Sequence, residues 1–109
     1  MSRYRKIDVR IQLDSKFRAL SDDAQLVFYL LLTHPNLTSL GAMFATIPGL
    51  AAEKKWSLER YQKAFREVFE KGIIKHDPES CFLWFPNFIK YNSPENPNVI
   101  RSWFSSVDL

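Results

Sequence analysis

Arg60, Lys63 and Arg66 recur at three-residue intervals within SLERYQKAFREVFEKG, residues 57–72. On a helix, that spacing sets three cations on or near the outward side, where they would meet the phosphates and base edges of a nucleic acid. Lys54 and Lys55 stand just ahead of the stretch and are suited to positioning a phosphate backbone. A second basic cluster, Arg3, Arg5 and Lys6, is interleaved with Tyr4 and apolar residues, as in an arm that tracks a backbone or a minor groove. Each cluster also has a plainer reading. Glu59, Glu67 and Glu70 share the helix surface with the cations. Ion pairs such as Glu59–Lys63, Arg66–Glu70 and Glu67–Lys71 would contribute only about 0.2–0.5 kcal/mol each to a solvated face. In the arm, Ile7, Val9, Ile11 and Leu13 alternate, as in an edge strand packed on one side.

The net charge of +3 is unevenly spread. Residues 1–20 hold six Lys or Arg against two acids, and residues 54–75 hold seven against three, so each block carries +4. Residues 21–53 carry −3 and residues 76–109 carry −2. Two basic blocks favour an anionic partner, double-stranded DNA first. Other chemistries find few residues to use. Cys81 is the one cysteine, which excludes an internal disulfide and a cysteine-based zinc cluster, and it reads as a small core residue. His34 and His76 have no partner at ligand spacing and read as a loop residue and a strand-end residue. Gly41, Gly49 and Gly72 form no phosphate cradle, and no Ser/His/Asp arrangement stands out. The expectation is a protein that is not an enzyme and uses no metal or cofactor. The longest apolar run, Leu26–Leu32, is far short of the roughly 20 residues that a membrane span needs. The basic N-terminus is followed by no signal-like apolar stretch, so the expected location is cytoplasmic.

These residues must be positioned by a small set of elements. SDDAQLVFYLLLTHP reads as a buried helix capped by Ser21 and stopped by Pro35, with Asp22 and Asp23 at the positive end of its dipole. YRKIDVRI reads as extended, Leu40–Ile47 as a short strand and PGLAAEKK as a short helix. In the helix of residues 57–72, Ser57 is the N-cap, Trp56 staples onto Tyr61, and Gly72 closes the C-terminus. Its buried face is Tyr61, Ala64, Phe65, Val68 and Phe69. IIKHD and CFLWF, separated by DPES, read as a hairpin. Asp77 and Glu79 at its tip make contact with phosphates unfavourable. Trp84, Phe88 and Tyr91 read as core. Two helices joined by a tight turn and followed by a hairpin give a mainly α domain with a small β-hairpin, a winged helix-turn-helix. It would occupy residues 1–96, with a basic N-terminal arm. Residues 97–109 read as a C-terminal amphipathic helix whose stripe of Val99, Ile100, Trp103, Phe104 and Val107 packs on the domain or on a partner subunit.

Three phrases carry a family resemblance: YRKIDVRIQLDSKFRALSDDAQLVFYLLLTHPN, LGAMFATIPGLAAEKKWS and WFPNFIKYNSPENPNV. They resemble the amino-terminal domain of phage and prophage replication proteins of the replisome-organiser or initiator type. The resemblance spans most of the chain and rests on hydrophobic phrases rather than on a catalytic signature. It implies a winged-helix domain that binds origin DNA or organises the replisome, usually attached to a further C-terminal region. The alternative within the same resemblance is a protein-interaction module that self-associates or docks a helicase or loader without touching DNA.

Overall fold

The computed structural model describes residues 4–91, of which about half are helical. A 3-10 helix at Val9–Leu13 leads into α1 (Ser15–Arg18) and α2 (Asp22–Leu32). Then come β1 (Ala42–Phe44), α3 (Ile47–Lys54), α4 (Leu58–Glu70), β2 (Lys75–Asp77), β3 (Phe82–Trp84) and α5 (Phe88–Tyr91).

Each principal helix begins where a short polar side chain can satisfy its free N–H groups. The Ser21 hydroxyl accepts from the Ala24 N–H, the Thr46 hydroxyl from Gly49 and the Ser57 hydroxyl from Arg60. α4 ends in a Schellman closure: the Ile73 N–H donates to the Val68 carbonyl at 3.3 Å and the Gly72 N–H to Phe69 at 3.0 Å. Gly72 supplies the left-handed residue this closure needs, at φ 73°. α3 closes the same way, with Trp56 donating to Ala51 and Lys55 to Ala52, but here the left-handed position is held by Lys55 at φ 64°. The turn between α3 and α4 is therefore Lys55, Trp56 and Ser57.

α2 and α4 pack against each other, α3 packs on α4, and the three strands form one antiparallel sheet in the order β1-β3-β2. The expected hairpin is present, and the expected short strand joins it as a third member: Met43 lies opposite Leu83, and Leu83 opposite His76. The fold is thus mixed α and β rather than mainly α. Strand alternation sends Met43 and Leu83 into the core and leaves Ala42, Phe44, Phe82 and Trp84 on the outer face. The core centres on Phe28, whose ring meets Phe17, Tyr29, Phe85 and Tyr91 edge-on at 5.2–5.9 Å.

Four sequence expectations change. The segment expected to be extended is a 3-10 helix from Val9, capped by the Asp8 carboxylate, which accepts from the Arg10 N–H at 2.9 Å. A period of three does not keep alternate residues on one face, so Ile11 is buried while Val9 and Leu13 are 85% and 75% exposed. Phe69 is 45% exposed because it lies at the margin of the α4 stripe, in its last turn. Trp84 is half-buried on the outer sheet face instead of in the core. Cys81 is also half-buried, in the turn before β3, with a left-handed φ of 55°. Phe88 and Tyr91 are buried as expected. Arg3, the 96/97 boundary and the stripe from Val99 to Val107 lie outside the described residues. Among the described residues, no helix is long and apolar enough to cross a membrane.

Candidate nucleic-acid interface

α4 is positioned by what it buries. Tyr61, Ala64, Phe65 and Val68 are almost completely enclosed, and burial pushes the Tyr61 phenol well above its ordinary value, with the Glu53 charge adding to this. The Trp56 ring meets Tyr61 at 6.1 Å, the staple expected at the entry to the helix. With that face fixed, Glu59, Gln62, Lys63, Arg66 and Glu70 are exposed.

The three-cation row does not act as one stripe. Three residues advance a helix by about 300°, so Arg60, Lys63 and Arg66 fan out over roughly 120° of its circumference. Arg60 falls on the flank toward α2 and makes a two-pronged ion pair with Asp23, Nε to Oδ2 at 2.9 Å and Nη2 to Oδ1 at 3.0 Å. Its guanidinium also lies 3.9 Å from the centre of the Trp56 ring, over which Lys54 Nζ sits at 5.1 Å. The hydrogen bonds from Arg60 hold the Asp23 carboxyl below the usual carboxylate range, and the charges of Arg60, Lys63 and Lys54 add to this. The same bonds raise Arg60. Two turns further along this flank, Glu67 accepts from the Ser21 N–H at 3.0 Å and the Ser21 hydroxyl at 2.6 Å. The N-terminus of α2 thus takes up Arg60 through Asp23 and Glu67 through Ser21, both of which the sequence had placed in solvent or in pairs along α4.

Arg66 lies on the opposite side of the exposed face, beside a shallow groove of about 240 Å³ formed with Ile47, Gln62, Phe69, His76 and Pro78. Lys63 stands between the two flanks. Lys55, exposed, and Lys54, half-buried, extend this basic edge through the α3–α4 turn. Lys54 and Lys55 just before α4 and Lys63 in its second turn thus set three cations around the start of the helix, whose dipole also favours an anion. Along the rest of the outer face, Glu59 and Glu70 offset Lys63 and Arg66.

The arm and the hairpin are less available than the arm's charge suggests. Arg5 is partly buried, with Nη2 donating to the Leu37 carbonyl at 3.0 Å and its guanidinium 5.4 Å from the Phe88 ring. It anchors the N-terminal segment to the domain, and burial lowers its pKa. Lys6 is exposed. At the hairpin tip, Asp77 accepts from the Ser80 hydroxyl at 2.8 Å and the Glu79 N–H at 3.2 Å, bonds that hold it below the usual carboxylate range. The tip is therefore firmly anionic. His76 points inward against Phe65, with rings 5.3 Å apart.

Sequence reasoning missed two features. The pairing of α2 with Arg60 was signalled only by Asp23, which was assigned to the helix dipole, and that with Glu67 only by Ser21, which was assigned to the cap. The outward cluster of Phe44, Phe82 and Trp84 was signalled by apolar residues at both parities of β3. Among the described residues, no group of three or more His, Cys, Asp or Glu could hold a metal ion. Compared with known proteins, the chain matches no family model, no curated protein and no solved structure.

Proposed function

We propose that this chain is a winged helix-turn-helix module that binds double-stranded DNA through the α3–α4 turn and the start of α4. The observation that carries the reading is the order α2-β1-α3-α4-β2-β3, with a three-residue turn before an exposed α4 whose N-terminal end gathers Lys54, Lys55 and Lys63. In such a unit the second helix enters the major groove with its N-terminal residues foremost. Lys55 strengthens the case: a lysine occupies the left-handed position where glycine costs least, and strain kept at a surface turn suggests a role for the side chain. Lys63 and Arg66 would meet the DNA directly, while Arg60 orients the turn through Trp56 and Asp23. The resemblance to phage replication proteins supports DNA at a replication origin as the target.

Duplex binding measured by anisotropy across a salt series tests this. Log affinity should fall linearly with log salt, and each phosphate contact removed by Lys54→Ala, Lys55→Ala or Lys63→Ala should reduce the slope by about 0.9. Absence of binding at low salt would sink the proposal. A second reading, a replisome protein-docking surface on the same helix, is favoured by the balanced charge of the outer α4 face and the anionic hairpin tip. It predicts salt-insensitive association with a helicase or loader, or with a second copy, and no DNA binding.

A further inference from the structure

The outer face of the sheet is apolar over two strands and charged on the third. Phe44 is 72% exposed, and its ring lies 5.0 Å from Phe82, which lies 5.6 Å from Trp84. The register arranges this face in two rows across the strands: Ala42, Trp84 and Lys75 in one, Phe44, Phe82 and Asp77 in the other. Rows two residues apart along a strand are separated by roughly 7 Å. Each row thus runs from an apolar end on β1 to a charged end on β2, and the two charges are opposite. Lys75 and Asp77 are both exposed.

We propose that this face pairs with the same face of a second copy of the chain, about a two-fold axis that runs across the strands between the two rows. A closed dimer requires a patch that is complementary to itself. That axis lays each row over the other row of the second copy. Lys75 then faces Asp77, Trp84 faces Phe82 and the large Phe44 faces the small Ala42, each match occurring twice. A two-fold axis along the strands would instead set Phe44 over Asp77 and Ala42 over Lys75, burying each charge without a partner. The order of residues therefore selects one dimer. Stacked sheets stand about 10 Å apart with strands within about 30° of alignment, which keeps the rows opposed near the axis. The three strands are only about 10 Å across, so the interface falls below the roughly 1,200 Å² of stable complexes and the dimer is weak. Stacked nucleic-acid bases fit this face less well, because Asp77 and Glu79 repel phosphate. α4 packs on the opposite face of the sheet, through Phe65 against His76, so the pairing does not use the proposed DNA-binding surface.

Sedimentation equilibrium of the full chain at low salt, up to about 1 mM, tests the proposal. A monomer–dimer equilibrium should appear with a dissociation constant of about 10–500 µM. Phe44→Ala should weaken it at least about tenfold, because the ring is lost from both copies. Lys75→Asp sets like charges opposite each other twice and should weaken it about fivefold, less so in high salt. Both side chains are largely in solvent in the monomer, and thermal melts should find both variants as stable as the wild type. A chain that stays monomeric at about 1 mM would overturn the proposal, whatever covers the strip instead. So would a dimer that survives Phe44→Ala, which would place the interface elsewhere, or one indifferent to Lys75→Asp, which would exclude this axis. Tryptophan quenching by a single-stranded oligonucleotide that Phe44→Ala abolishes would assign the strip to bases and overturn it as well.

Discussion

Arg60 shows how one contact redirects a side chain. The residue is exposed, yet both prongs of its guanidinium are committed to Asp23 and its flat face to Trp56. Arg60→Ala should therefore weaken DNA binding less than Lys63→Ala, and Asp23→Asn should strengthen it by freeing a cation; equal losses for the two alanine variants would refute this ordering. Asp23 also makes a pH prediction. Its folded-state pKa is depressed, so its contribution to stability is complete above the unfolded carboxylate value near 3.9 and is lost as pH falls through the lower folded value. NMR titration should find Asp23 below the ordinary range in the wild type and back near it in Arg60→Gln.

At the scale of elements, three left-handed or glycine-bearing turns set the geometry, and they differ in what they tolerate. Gly72 has open space around its missing Cβ, so Gly72→Ala should cost only the backbone penalty of about 1–2 kcal/mol. Gly41 combines φ 80° with the Phe88 ring against it, so Gly41→Ala should cost distinctly more and loosen α5. Lys55 is the reverse case. Lys55→Gly removes left-handed strain but adds unfolded-state entropy, for a net gain of about 0.5–1 kcal/mol at most. Denaturant melts rank the three, and the same Lys55 variant should lose affinity for DNA. Gain in stability with loss of binding is the pattern expected of a residue retained for contact; unchanged DNA affinity would remove Lys55 from the proposed interface.

For the molecule as a whole, stability concentrates in one aromatic node. Phe28 joins α1, α2, α5 and the residue after β3 through edge-on rings, and Phe28→Ala should cost about 3–5 kcal/mol, a large part of the roughly 5–15 available to a domain. Phe69→Ala, half in solvent, should stay within about 1 kcal/mol, and thermal melts will separate the two. Much of this architecture was legible in the chain. Ser21 and Ser57 as caps, Trp56 as staple, Gly72 as terminator and the hairpin around DPES all follow from local chemistry, which acts over a few residues and leaves its signature there. Local chemistry misjudged Val9–Leu13, because alternation mimics a strand when a 3-10 turn buries only one residue in three. It also read Arg60, Lys63 and Arg66 as a single row. The sequence by itself determined that α4 exists, which face it buries and that cations surround its start. Only the tertiary structure decided which of those cations is tied to an acid. That choice depends on the N-terminus of α2 lying beside α4, a contact between residues 37 and 46 positions apart, and no local pattern encodes it.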